Sequence, residues 1–294
     1  MNEKTKKATT LSAANGGTLS LGGELTVNRL GFGAMRLTGD GIWGPPKDRA
    51  AAIAVLRRAV ELGVNFIDTA DSYGPNVSEE LIADALSPYP EDLVIATKGG
   101  WNRPGPNQWT HDASPAHLRQ AVEGSLKRLR LDRIDVYQLH VPDPMIPLDA
   151  SIETLANMQS EGKIRLVGLS NVTVEHIERA RKIVSIVSVQ NRYSFADREW
   201  DNVVDYCERN EIAFIPWFPL GAGTVAGRLL ERIAKTGRVK PIQVALAWLL
   251  KRSPIMLPIP GTSSIAHLEE NVQAASLPLT EEEYLELNGI ALAS

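Results

Sequence analysis

The stretch Asn65-Phe66-Ile67-Asp68-Thr69-Ala70-Asp71-Ser72-Tyr73-Gly74 decides how this chain is read. Together with Val64 it starts as the apolar run of a buried strand, then opens into a polar loop carrying Asp68, Asp71 and Tyr73. An unpaired buried carboxylate costs several kcal/mol or changes its protonation, so Asp68 requires a cationic partner. The next apolar run, Leu93-Val94-Ile95-Ala96-Thr97-Lys98, ends in lysine. The one after it, Asp135-Val136-Tyr137-Gln138-Leu139-His140, ends in histidine. Three successive strand ends thus offer a carboxylate with a nearby phenol, an ammonium and an imidazole, which read together as one catalytic site.

Outward from this stretch, strands and helices alternate. Upstream, Thr18 to Val27 alternates apolar and polar residues around Gly22-Gly23, a hairpin signal whose place is the floor of a barrel. Arg29 to Met35 is a short strand with glycines where backbone or ligand approaches closely. Asp48 caps a helix to about Leu62, and Ser78 to Leu86 reads as the next. Gly99 to Ala113 reads as a long loop, Ser114-Pro115 opens a helix, and Thr173 caps another. Strands follow at 163–170, 187–191, 212–218 and 255–259, the last leading into a helix from Ser264 to Ala275. Such alternation implies a parallel sheet, and eight strand–helix units with no linker imply an α/β fold closed into a (β/α)8 TIM barrel. An open doubly wound sheet is the competitor, but Gly31-Phe32-Gly33 lacks the third glycine of a dinucleotide turn and leads into a loop. Residues 1–17 read as a flexible tail and 18–294 as a single barrel domain.

Bulk properties narrow the function classes. With 22% charged residues and a net charge of −4, the chain lacks the basic excess of a nucleic-acid or membrane-surface binder. One cysteine, Cys207, leaves no intrachain disulfide and fits a reducing compartment. The basic start, Met1 to Lys7, is followed by no apolar segment, so the expectation is a cytoplasmic protein, a monomer or weak oligomer.

In a closed parallel barrel all strand C-terminal ends face one mouth, so Asp68, Tyr73, Lys98 and His140 converge there. A tyrosine beside a lysine suits proton donation, because an ammonium that favours phenolate moves the phenol towards useful acidity. Asp68 would hold Lys98, and neutral His140 would orient a carbonyl oxygen. The set contains neither nucleophile nor metal site, so the carbonyl carbon needs hydride from a nicotinamide cofactor. Ser170, Asn171 and Gln190 suit its carboxamide and Trp217 its ring. Gly221-Ala222-Gly223 and Gly261-Thr262-Ser263-Ser264 stand where barrels bind phosphate. Trp43, Trp101 and Trp109 lie in mouth loops and are candidates for an apolar substrate pocket. His111, His117 and His176 read as surface residues, and Asp71 as a brace of its loop.

At these residues the chain resembles the aldo-keto reductase superfamily over about residues 25 to 275. The resemblance rests on Asn65 to Gly74, Lys98, His140, Gly168-Leu169-Ser170-Asn171, Val189-Gln190-Asn191 and Ile259-Pro260-Gly261-Thr262. It implies an NADPH-dependent carbonyl reductase with a tetrad of Asp68, Tyr73 as general acid, Lys98 and His140. It implies nicotinamide contacts at Ser170, Asn171, Gln190 and Trp217, and adenine contacts at Glu270 and Asn271. Gly33, Met35, Phe218, Leu220, Gly221, Gly261, Thr262, Ser263 and His267 complete the cofactor set. Many members carry a Lys-Ser pair and an arginine for the 2′-phosphate where this chain has Gly261-Thr262 and His267, which leaves NADH as an alternative cofactor. Trp217 stands where tyrosine is commoner. The loops look most like a bacterial subgroup that includes pyridoxal reductases. The substrate expected is a small aldehyde or ketone. A dedicated pyridoxal reductase, a non-catalytic NADPH-binding regulatory subunit and a sugar isomerase barrel are the alternatives.

Overall fold

The computed structural model describes residues 10–218 and 225–291. A hairpin of β1 (Thr18–Leu21) and β2 (Leu25–Asn28) precedes the barrel. There follow β3 (Phe32–Gly33), α1 (Arg49–Glu61), β4 (Phe66–Asp68), α2 (Val77–Leu86) and β5 (Val94–Gly99). An antiparallel pair, β6 (Trp101–Gly105) and β7 (Gln108–His111), then leads to α3 (Pro115–Leu129). After it come β8 (Ile134–Leu139), α4 (Leu148–Ser160), β9 (Ile164–Ser170), α5 (Val174–Arg181), β10 (Ile186–Gln190), α6 (Asp201–Arg209) and β11 (Ala213–Phe214). The chain ends in α7 (Val225–Gly237), α8 (Pro241–Arg252), α9 (Ile265–Gln273) and α10 (Glu281–Ala291).

Seven strands form one parallel sheet in the order β11-β10-β9-β8-β5-β4-β3. Residues 255–259 hydrogen-bond to both of its edges and curl it into a ring. The Phe214 N–H donates to Ile255 O at 2.9 Å and the Leu257 N–H to Phe214 O at 2.8 Å, while the Gly31 N–H donates to Pro258 O at 3.0 Å. The strands are buried on both faces, which is why each reads as a near-continuous apolar run. Local signals set the helix starts. Asp48 Oδ1 accepts the Ala51 N–H at 2.9 Å, Ser114 Oγ accepts the His117 N–H ahead of Pro115, and Thr173 with His176 closes a capping box. Such a cap is worth about 1 kcal/mol.

The hairpin plugs the barrel's N-terminal end. Leu21 and Val27 are buried and pack with Phe66, Val94, Leu166, Val187 and Leu257 from the strand interiors. At its turn Gly22 has φ +59°, and a Cβ there would stand 2.9 Å from Val187 Cγ1. Only glycine meets both demands.

Two expectations are corrected here. Residues 12–17, read as part of a tail, are docked: Ala13–Gly16 forms a 3-10 turn, Ala13 is buried, and its N–H donates to Leu62 O at 2.8 Å. Gly99–Ala113 is no plain loop, since it contains the β6–β7 pair with Trp101 opposite His111 and Asn102 opposite Thr110. Pro104 and Pro106 masked that signal, because proline argues against strand in sequence yet is tolerated at an edge. Among the described residues no helix is long and apolar enough to cross a membrane.

Candidate active site

Closure brings the four strand-end residues together. Lys98 is fully buried at the end of β5, with Nζ 2.7 Å from Asp68 Oδ2, 2.8 Å from Thr69 O and 3.4 Å from the Tyr73 hydroxyl. The other Asp68 oxygen, Oδ1, accepts from Gln138 Nε2 at 3.1 Å and from Gln190 Nε2 at 2.8 Å. Every acceptor of this buried carboxylate is therefore engaged, the condition under which such a group is tolerated. The Tyr73 and His140 rings meet edge to face at 5.8 Å. Ser72 Oγ lies 3.4 Å from His140 Nδ1.

Burial governs the ionisation of the site. It pushes the Tyr73 phenol above its ordinary value, and the ammonium of Lys98 offsets only part of that shift. The expected drift of the phenol towards acidity is thus reversed, because desolvation of the phenolate outweighs one neighbouring charge. Burial also disfavours the Lys98 ammonium, but Asp68 and the Tyr73 hydroxyl outweigh it and the pKa rises. His140 is held well below the usual imidazole range by burial and then by Lys98, so it is neutral. Asp71 braces its loop through the backbone, its N–H donating to Lys98 O and its carbonyl accepting from Asn76. Its carboxyl is buried with Oδ1 unpartnered, and desolvation, then Glu79, push it up to about 8.

A cavity of about 800 Å³ opens over this cluster. It is lined by Asp68, Tyr73 and His140, by the ring cluster of Trp101, Trp109 and His111, and by Ser170, Asn171, Gln190, Trp217 and Phe218. It continues past Gly33, Met35 and Gly261 to Asn271. Asn171 is pinned from both ends: Nδ2 donates to His140 O at 3.0 Å, and Oδ1 accepts from Trp217 Nε1 at 3.2 Å. Thr262 and Ser263 line a second, adjoining cavity that shares Met35, Arg36 and Gly261 with the first.

Not every expected residue reaches these cavities. Gln190 lines the first, but its amide nitrogen is taken up by Asp68. Trp43 lines neither; its backbone pairs with Gly74 and its ring lies under the Arg103 guanidinium. His267, exposed on the first turn of α9, and Glu270 line neither. Leu220 and Gly221, with the rest of the 221–223 loop, lie outside the described residues. Conversely, His111 is a wall residue, its ring 4.4 Å from Trp101, and His176 serves a helix cap. Arg36, Gln138 and Arg103 escaped the sequence reading. Gln138, a polar residue inside the apolar run that becomes β8, is the one visible signal, since a buried amide needs partners.

Three comparisons bear on this geometry. The model of the aldo/keto reductase family matches residues 29–291. The chain belongs to the aldo/keto reductase family. Its biochemical class is therefore that of the oxidoreductases. It is 50% identical over 287 residues to an uncharacterised oxidoreductase of Schizosaccharomyces pombe, covering 97% of this chain and 93% of that one. It is 49% identical over 276 residues to pyridoxine 4-dehydrogenase of Escherichia coli, covering 92% and 96% respectively. The crystal structure of an aldo/keto reductase from Klebsiella pneumoniae in complex with NADP and acetate superposes with a TM-score of 0.79 at 27% identity, covering 93% of this chain and 95% of that one.

Proposed function

We propose that this reductase converts a small aldehyde or ketone to the alcohol using NADPH, with Tyr73 as the proton donor. One observation carries the reading. The Tyr73 hydroxyl, 3.4 Å from a buried ammonium, lines a cavity that runs on past Trp217 to Gly261 and Asn271. That trough fits a dinucleotide: an indole wall, an amide fixed at Asn171, and Gly261 so close to Gly33 that a Cβ would stand 2.5 Å from Gly33 O. Ser170, Asn171 and Trp217 would hold the nicotinamide end, and Gly261, Thr262, Ser263 and Asn271 the adenosine end. Arg36, whose Cγ would lie 3.5 Å from a Cβ at Gly261, adds a cation where other members carry lysine, and this favours NADPH over NADH. Bound NADPH would supply the hydride.

The residues themselves handle the proton and the oxygen. Burial keeps Tyr73 protonated until a carbonyl oxygen gains negative charge beside it. Lys98 then stabilises the phenolate left behind, and Asp68 keeps Lys98 charged and in place. Ser72 Oγ lies 3.4 Å from Nδ1, and in the tautomer that accepts from this hydroxyl, neutral His140 carries its proton on Nε2 and can donate it to the same oxygen.

Following NADPH absorbance across a carbonyl panel tests the reading. Turnover is expected in the wild type, and Tyr73→Phe should lower kcat by about 10²–10⁴ while NADPH affinity stays unchanged. A protein that binds NADPH but turns over nothing would be a regulatory subunit. An unaltered Tyr73→Phe would remove Tyr73 as the acid. The aromatic wall of Trp101, Trp109 and His111, with the pyridoxine 4-dehydrogenase relative, supports a narrower reading in which the substrate is a pyridoxal-like ring. That version requires a much higher kcat/KM for pyridoxal than for simple aromatic aldehydes.

A further inference from the structure

Arg103 sits outside the tetrad and outside the cavity lining, yet three active-site segments meet on its guanidinium. Its Nε donates to Gln108 O at 2.9 Å, within its own β6–β7 pair. Nη1 donates to Ser72 O at 2.8 Å, and Nη2 to Gly41 O at 3.1 Å. Its Cζ lies 3.8 Å from the Trp109 ring centroid and 5.6 Å from that of Trp43. Among the described residues it has no carboxylate partner, so carbonyl dipoles and indole faces hold it. Ser72 is the residue before Tyr73, and its hydroxyl faces His140. The same loops are stitched by backbone: the Gly44 N–H donates to Gly74 O at 2.6 Å, and the Asn107 N–H to Gly41 O at 3.4 Å.

We propose that Arg103 is a positioning residue that locks the Tyr73 loop, the Gly41 loop and the aromatic wall at Trp109 into one rigid unit. The substrate wall and the proton donor then hold a fixed separation, and a carbonyl pressed against Trp109 and Trp101 meets Tyr73 in register. Only a planar fork does this. Arginine offers five N–H donors in a fixed plane and stacks on aromatic faces, whereas lysine offers a compact charge and no plane. This inference builds on the reductase reading but does not stand or fall with it.

The test compares Arg103→Met and Arg103→Lys with the wild type in the full chain. Hydrogen exchange followed by mass spectrometry is expected to show faster exchange, by about tenfold, in peptides covering 41–44, 71–76 and 101–111 together, with β5 unchanged. On the best carbonyl of the panel, KM should rise about tenfold or more and kcat fall less, while the NADPH dissociation constant moves less than twofold. Lysine should not rescue, since charge without the fork restores one contact at most. Faster exchange confined to 101–111 would overturn the proposal, as would rescue by lysine or a matched loss of carbonyl and NADPH binding. Should the methionine variant fail to fold, the lysine variant decides by the same exchange pattern. A wild type inert towards carbonyls would defeat the reductase reading and leave the exchange result to judge Arg103.

Discussion

The two ends of the barrel interior are built on opposite principles. At the floor, Leu21 and Val27 of the hairpin meet Phe66, Val94, Leu166 and Val187, with no charged group among them. At the mouth, one strand length away, Asp68 and Lys98 are as deeply buried as that core, and Gln138 and Gln190 are fixed on the carboxylate. Apolar contacts are interchangeable within a volume, so the floor contributes stability. A buried ion pair is weak evidence for stability, because desolvation consumes much of its attraction. On the proposed function the mouth is organised for chemistry, and the floor holds the ring on which it depends.

Breaking the pair at the mouth should give the largest effect. Lys98→Met leaves Asp68 buried without its cation and is expected to cost about 3–5 kcal/mol in denaturant unfolding, with carbonyl turnover lost. Adding Asp68→Leu should restore part of the stability and none of the turnover; a double variant less stable than Lys98→Met would show that the buried Gln138 and Gln190 amides depend on the carboxylate more than the lone charge costs. At the floor, Leu21→Ala should cost about 2–5 kcal/mol, with kcat within twofold of the wild type. A kcat that fell with it would mean that the floor tunes the mouth.

A pH effect sharpens the contrast. The Asp71 pKa is about 8 in the folded chain against an ordinary 3.8. Between those values the folded state keeps a proton that the unfolded state has released, so stability falls as pH rises from about 4 to 8. The slope is at most ~1.4 kcal/mol per pH unit. Asp71→Asn should flatten the denaturation profile in that window, and an unchanged profile would mean that the carboxyl is not buried in solution. The smallest effect expected is at the hairpin turn, where Gly22→Ala forces a methyl into φ +59° and against Val187, at about 1–2 kcal/mol.

Residues whose role depends on near neighbours are legible in the sequence. Asp48 and Thr173 cap the helices they were expected to cap, and Ser114 and Ser264, read as helix starts, are the caps of theirs. Lys98 and His140 drew notice because polar groups end apolar runs, and such a run has one reason to stop. Arg103 gave no such signal, since an arginine among prolines looks like any surface cation. Its three acceptors come from residues 41, 72 and 108. The Tyr73 phenol was misjudged for a related reason: a neighbouring charge can be inferred from sequence, but the depth of its burial cannot.

By itself, then, the sequence determined the alternation of strands and helices, the caps at Asp48 and Thr173, and which side chains stand at strand ends. All of these follow from periodicity and from contacts a few residues apart. The tertiary structure alone decided which partners those side chains found and how far burial shifted their protons. These depend on contacts between segments 30, 70 and 122 residues apart, where closure of the ring, and not local preference, sets the distances.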